Sequence, residues 1–376
     1  LDKFKEIGIL IDKEIKIVAP GRTCLFGDHQ DYLGLPVIAC AIDRHIFLKA
    51  SPNDSGVFKI RMQDIDSKRD IPISEEFGSL EPRDYFASAL RVLRREGCLP
   101  NRGYDVDITG NIPINSGNSS SSAVLLAWIY FLIEAFGIDR PVDREFLAEL
   151  GYRAEIMEHR EPGGMMDHFS IAMGGVVHIK TEAPFECRTI GTKLDGMVTG
   201  VSGVPKETVG LLGRVKGNAQ KAIQIVSDKY NDFNIHKATI SDLKKYGPLL
   251  PLDLVPYFEA AIENHHITQR ALLELQKPNL DLQEIGRLMT AHHSLLKDKL
   301  KITVPKIDVM IDAVLKQGAY GAKIVGSGGG GSIVVLTEPG TETKIVDTLL
   351  SAGAKEAYNI QVDPGLRIQN MTHSNI

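Results

Sequence analysis

The sequence predicts a mixed α/β protein built as two domains, and three observations carry that reading. The chain has 376 residues, long for one hydrophobic core and enough for two domains of roughly 150–200 residues each. Its first half mixes β-rich stretches with helical ones. Its texture changes near residue 195, after which helical segments dominate until a strand, a glycine loop and a strand close the pattern. The expected division is therefore 1–195 and 196–376.

The elements follow in order. Ile15 to Ala19 reads as a short strand stopping at Pro20-Gly21, and Pro36 to Ala50 as a second β-rich stretch after a polar run from Arg22 to Gly34. Asp84 to Glu96 places Phe86, Leu90 and Leu93 on one helical face. Tyr104 to Ile108 alternates like a strand. The loop IPINSGNSSSSA then runs into the apolar helix AVLLAWIYFLIEAFG, ending at Gly137, with serines placed as N-caps. Asp143 to His159 is the next helix, broken by Gly163-Gly164 before MMDHFSIAMGG. Further helices are expected at Val215–Tyr230, Leu254–Leu275, Asp281–Leu296 and Pro305–Gln317, followed by the strands AKIVG and SIVVL. The last residues, MTHSNI, are expected to fray.

Composition bounds the partners. The apolar share is 43% and the formal charge is −5, ordinary for a globular protein. Nothing in that balance points to nucleic acid or to an anionic membrane, so a phosphate-bearing ligand needs a local positive site. The four cysteines, Cys24, Cys40, Cys98 and Cys187, form no CxxC pair. Reduced thiols in a cytoplasmic protein are expected, rather than a zinc site or disulfide framework. The N-terminal stretch has charges every few residues, unlike a signal peptide. The apolar run Ala123 to Phe136 is interrupted by Glu134 and is too short to span a bilayer.

Three motifs carry candidate chemistry. The first is the Gly/Ser loop Pro113 to Ala123, which opens a helix. A helix N-terminus offers unpaired N–H groups and a positive dipole end, a natural phosphate cradle. It lacks the Gly-Lys-[Ser/Thr] of a Walker loop, and a solvated, serine-capped turn is the plain alternative. The second is KIVGSGGGGSIVVL, Lys323 to Leu336, with five glycines in the six positions 326–331. That excess invites close approach by a phosphate, a ligand or the first loop, the alternative being a flexible turn. The third is a pair of segments, APGRTCLFGDHQDY and EPGGMMDHF. The former gathers Arg22, Asp28, His29 and Asp31, groups suited to a polyol plus one cation, and the latter puts Asp167 just after a Gly-Gly turn. Either segment reads equally as a surface loop.

These residues resemble a known family. APGRTCLFGDHQDYLG is similar to the galactokinase signature. PINSGNSSSSA and KIVGSGGGGSIVVL resemble the second and third motifs of the GHMP kinases, the superfamily of galactokinase, homoserine kinase, mevalonate kinase and phosphomevalonate kinase. AEIMEHREPGGMMDHF and LMTAHHSLLKDKLKITVPKID resemble two further galactokinase stretches, and all five occur in family order. The resemblance implies a ribosomal protein S5 domain 2-like N-terminal domain and a ferredoxin-like C-terminal domain, with the ligands in the cleft between them. It implies an ATP- and Mg²⁺-dependent kinase acting on the anomeric C1 hydroxyl of galactose or a similar sugar, as a monomer or weak homodimer.

The resemblance also assigns roles. Asp167 would be the catalytic acid/base, with Arg22 beside it holding the carboxylate ionised. Asp28, His29, Asp31 and Gly164 match sugar-binding positions, together with Arg22 and Asp167. Ser116, Gly117, Asn118, Ser119, Ser120, Ser121, Ser122 and Gly328 fall on the nucleotide loops. Ser121 and Glu155 match the Mg²⁺ ligands, with Glu158 and Glu161 as alternatives to Glu155. The chain departs from the family pattern at Asp28 (usually Glu), Gln30, Gly163, Asn118 and Gly329, and has no Tyr within Gly210 to Gln220. These departures gather around sugar contacts. They leave galactose, L-arabinose and uronic acids open, although an acidic Asp28 opposes an anionic C6 unless a cation sits beside it. A different GHMP substrate such as mevalonate or homoserine is opposed by the run GDHQDY. A sugar- and ATP-binding sensor without turnover is a reading of another class.

Overall fold

The computed structural model describes residues 14–182, 184–205 and 208–369. The expectations for the extreme N-terminus and for MTHSNI lie outside these residues. The elements, in chain order, begin with β1 (Ile15–Phe26), β2 (Val37–Asn53), β3 (Val57–Met62), β4 (Ser67–Pro72) and α1 (Tyr85–Arg95). Then come β5 (Gly103–Gly110), α2 (Ser120–Phe136), α3 (Arg144–Tyr152), α4 (Met166–Met173), β6 (Val176–Lys180) and β7 (Glu186–Ile190). The second half holds β8 (Met197–Val201), α5 (Thr208–Lys229), α6 (Ile240–Tyr246), α7 (Val255–Leu275), α8 (Leu282–Asp298), α9 (Pro305–Lys316), β9 (Gly321–Ile324) and β10 (Ser332–Leu336). It ends with α10 (Glu342–Ser351), β11 (Glu356–Ile360) and β12 (Arg367–Ile368).

The first sheet has eight strands, in the path β12-β1-β2-β5-β3-β4 with the β6–β7 hairpin paired to β2. The long β2 explains the branching. Its first part, VIACAI, is buried throughout and pairs with β6, whereas its second part alternates buried and exposed and pairs with β5. A continuous apolar run has both faces covered; alternation leaves one face wet. Helix α2 is apolar nearly all round because it is the central helix, burying Trp128 and Phe131 against Phe58. Asp84 caps α1 by accepting from the Ala87 N–H at 3.1 Å.

Two sequence expectations change. The strand expected to stop at Pro20-Gly21 continues to Phe26, because a register shift at Pro20/Gly21 absorbs the residue that cannot donate to the ladder. The helix expected from Asp143 to His159 ends at Tyr152 and passes into a π-turn over Arg153–Met157. The first change carries Arg22 along the strand, and the second leaves Glu155 buried.

The second sheet is antiparallel, in the order β11-β8-β10-β9. Numbered within its own half this is 4-1-3-2, with α10 and the α5–α9 segment as the two crossovers, the ferredoxin-like arrangement. The chain then returns, and β12 adds to β1 in the first sheet.

Candidate active site

Arg22 lies on β1 with its side chain 5% exposed. Its Nε donates to Asp167 Oδ1 at 2.8 Å, Nη2 lies 2.7 Å from the same oxygen, and Nη1 donates to the Gly117 carbonyl. The loop before α2 holds Arg22 from behind: the Arg22 N–H donates to Asn118 O at 3.2 Å, and Asn118 Nδ2 donates back to Arg22 O at 3.3 Å. Asp167 sits in the first turn of α4, where the helix dipole favours a carboxylate. Its second oxygen accepts from Ser119 Oγ. Burial alone would raise the Asp167 pKa, but the Arg22 charge and the Ser119 hydroxyl outweigh it and hold the group below the ordinary carboxylate value. The side chain remains 29% exposed, so the carboxylate is ionised, fixed and accessible.

Asp31 and Gly164 form the neighbouring wall. Asp31 Oδ1 accepts from the Tyr32 N–H at 3.0 Å, and a Cβ added to Gly164 would meet Asp31 Oδ2 at 1.9 Å. Burial, and then the Asp167 charge, push the Asp31 pKa up to about 6.

Asp28 and His29, expected among the sugar contacts, are engaged within the chain instead. Asp28 Oδ2 lies 2.7 Å from Lys323 Nζ and Oδ1 accepts from the Gly326 N–H at 2.8 Å, with both charged side chains at most 1% exposed. Burial would raise the Asp28 pKa, but the Lys323 charge draws it down to about 2. His29 Nε2 lies 3.2 Å from the Ser327 carbonyl and Nδ1 3.0 Å from Tyr32 Oη. A carbonyl can only accept, which assigns the proton to Nε2, and burial lowers the pKa to about 4 so that the ring is neutral.

The nucleotide-loop candidates divide. Ser116 Oγ, which has one proton to donate, lies 2.7 Å from Pro113 O and 2.9 Å from Asn118 Oδ1, and Asn118 Oδ1 also accepts from Ser332 Oγ at 3.2 Å. Ser116, Gly117, Asn118, Ser119 and Ser122 are buried, while Ser120 is half-buried and Ser121 exposed. Gly331, at φ 79°, backs onto Ser116: a Cβ there would meet the Ser116 carbonyl at 2.8 Å. The glycine-rich third motif therefore packs on the first loop. Gly328, expected at the nucleotide, packs on Ile302, whose carbonyl an added Cβ would meet at 2.5 Å. A cavity of about 530 Å³ borders Asn115 and Ser120, walled by Met62, Ile65, Ile108 and Ile112. A larger one of about 860 Å³, between the β6–β7 hairpin and the α7–α8 turn, contains none of the candidate residues.

Of the three candidate metal carboxylates, Glu158 pairs with Arg91 and Arg95, and Glu161 lies 3.4 Å from Arg83 and accepts from Tyr85 Oη at 3.1 Å. Glu155 Oε2 lies 2.8 Å from His168 Nε2, and Oε1 accepts from the Ser121 hydroxyl at 3.3 Å. Among the described residues no cluster of three or more His, Cys, Asp or Glu is arranged to hold a metal, and no helix is long and apolar enough to cross a membrane. The four cysteines are buried and free.

Two GHMP kinase family models match this chain: GHMP kinases N terminal domain over residues 84–175, and GHMP kinases C terminal over residues 270–355. The chain belongs to the GHMP kinase superfamily. The galactokinase galactose-binding signature matches this GHMP kinase over residues 10–52. A mevalonate kinase of Thermococcus gammatolerans is 28% identical over 364 residues, covering 94% of this chain and 98% of the relative. A galactokinase of Chloroflexus aggregans is 27% identical over 354 residues, covering 89% and 87%. In fold, the GHMP kinase matches Lactococcus lactis galactokinase complexed with galactose at a TM-score of 0.84, with 20% identity and coverage of 97% and 98%. It matches Methanococcus jannaschii mevalonate kinase at 0.70, with 20% identity and coverage of 93% and 99%. Such a kinase is a phosphotransferase with an alcohol group as acceptor.

The sequence alone did not mark Lys323, Tyr32 or His168 as part of this region. Lys323 opens the third motif and His168 follows Asp167, so adjacency was the available signal.

Proposed function

We propose that this GHMP kinase transfers the γ-phosphoryl group of ATP to the anomeric hydroxyl of galactose or a galactose-like monosaccharide. The observation that carries the reading is the accessible Asp167 carboxylate, fixed between Arg22 and Ser119 beside the loop that opens α2. The acceptor oxygen attacks the γ-phosphorus, the bond to the β–γ bridging oxygen breaks, and the hydroxyl proton passes to Asp167 as ADP leaves. Arg22 keeps Asp167 ionised and offers positive charge where negative charge gathers in transfer. The apolar cavity beside Asn115 and Ser120 suits a nucleobase, leaving the phosphates at the start of α2. Glu155 and Ser121 offer hard oxygens that would hold a magnesium ion, and the ion would supply positive charge against the phosphates.

Coupled ADP release from the purified protein over a panel of monosaccharides tests this. Sugar-dependent release supports the kinase; sugar and ATP binding without turnover supports a sensor. Asp167→Asn should lower kcat by about 10²–10⁴-fold while sparing ATP binding, and near-normal kcat would remove Asp167 from catalysis. Mevalonate is a second acceptor to include, because mevalonate kinases are among the curated relatives at 28% identity. The galactose-binding signature over residues 10–52 favours the sugar.

A further inference from the structure

Beside the segments that carry Asp31 and Gly164 lies a cation, Lys216, for which no carboxylate partner is found among the described residues. Arg22 pairs with Asp167, and Lys323 pairs with Asp28. Lys216, on α5, projects from the other half of the molecule onto the two segments that form the acceptor wall. Its ammonium lies 3.5 Å from the Pro162 carbonyl, just before Gly164, and 5.6 Å from the centre of the Tyr32 ring, just after Asp31. Among the described residues no carboxylate comes within ion-pair distance of it. It is half-buried, and one long contact to a carbonyl leaves most of its three donors available.

A neutral polyol does not call for such a group. Hydroxyls are served by carboxylates, and Asp31 and Asp167 already supply two. A half-buried ammonium aimed at the same wall matches an anionic substituent, whose charge-assisted hydrogen bonds are shorter and stronger than neutral ones. The carboxylate that would have repelled such a substituent, Asp28, is turned away and neutralised by Lys323.

Resting on the reading of the Asp167 cleft as the acceptor site, we infer that Lys216 is the counter-ion for a carboxylate on the acceptor, making the substrate a sugar acid of the hexuronate class. Lys216 is then a specificity-determining residue, and the uronate and the neutral hexose share the reacting hydroxyl but differ at Lys216.

The test measures kcat/KM of the full chain for galacturonate, glucuronate, galactose, L-arabinose and mevalonate, with Lys216→Met and Lys216→Arg alongside. A uronate should exceed galactose by about tenfold or more, equivalent to about 1.4 kcal/mol. Lys216→Met should collapse that ratio toward one, Lys216→Arg should retain it, and the KM for ATP should hold in both. Three results overturn the inference with the kinase intact: galactose or L-arabinose used as well as any uronate, an equal loss for all acceptors in Lys216→Met, or a loss confined to ATP. Turnover of mevalonate alone overturns the inference and the sugar kinase together. If no acceptor releases ADP the kinase reading fails, and calorimetry with galacturonate still decides the inference: binding lost in Lys216→Met supports it, and unchanged or absent binding overturns it.

Discussion

A methyl group on Gly164 would stand 1.9 Å from Asp31 Oδ2, so the residue is glycine because a carboxylate already fills the space. Gly164→Ala must displace Asp31, and small displacements of a positioning group are costly. We expect kcat/KM for the acceptor to fall roughly 10- to 100-fold while the ATP dissociation constant holds; unchanged acceptor kinetics would separate Asp31 from the acceptor. Asp31 gives a second handle. Burial and the neighbouring Asp167 charge raise its pKa to about 6, so it is ionised above that value and protonated below it. A protonated carboxyl accepts fewer hydrogen bonds from acceptor hydroxyls. The pH profile of kcat/KM should therefore bend downward on the acid side near 6, and Asp31→Asn should erase that bend. A wild-type inflection at the ordinary carboxylate value near 4 would count against the assignment.

The helices show what patterning could reveal. The helical face of α1 and the apolar sequence of α2 were legible because periodicity is a local property. The serines before α2 were legible as an N-terminus but misread in detail. Ser119 adopts φ 60° and makes no capping hydrogen bond, and its hydroxyl points to Asp167, 48 positions away. The π-turn that presents Glu155 was not legible either, since α-helix and π-turn share nearly the same pattern. Strands fared worse: β3, β4, β8 and β11 are five or six residues long, and their identity rests on partners the sequence does not name. Lys323 is the clearest case. A lysine in a strand reads as solvent-facing, yet this one is wholly buried because its partner, Asp28, arrives from 295 positions away. The excess glycine of the third motif was legible as a demand for close approach, and packing against Ser116 meets it.

The two sheets do not behave as separate bodies. One buried apolar cluster joins Leu25, Ile38 and Trp128 of the first half with Leu275, Met289 and Val334 of the second, and β12 returns to pair with β1. The Asp28–Lys323 pair lies across the same junction, and Lys323 Nζ has three acceptors: Asp28, Cys24 O at 2.9 Å and Ile324 O at 2.7 Å. Both charges are fully desolvated, which makes the pair expensive to break rather than strongly stabilising in itself. Asp28→Asn leaves an uncompensated buried ammonium and should cost about 3–5 kcal/mol of unfolding free energy in urea titration. The double variant Asp28→Leu/Lys323→Met removes both charges and should lose clearly less than the sum of the single changes. The pH dependence has a definite sign. Because Lys323 holds Asp28 near 2 in the folded protein against 3.8 ordinarily, this contribution is complete above about 4 and is lost as the pH falls through 2. Asp28→Asn should lack that component. If the single losses simply add in the double variant, the pair is not what couples the glycine loop of the second half to the strand that carries Arg22.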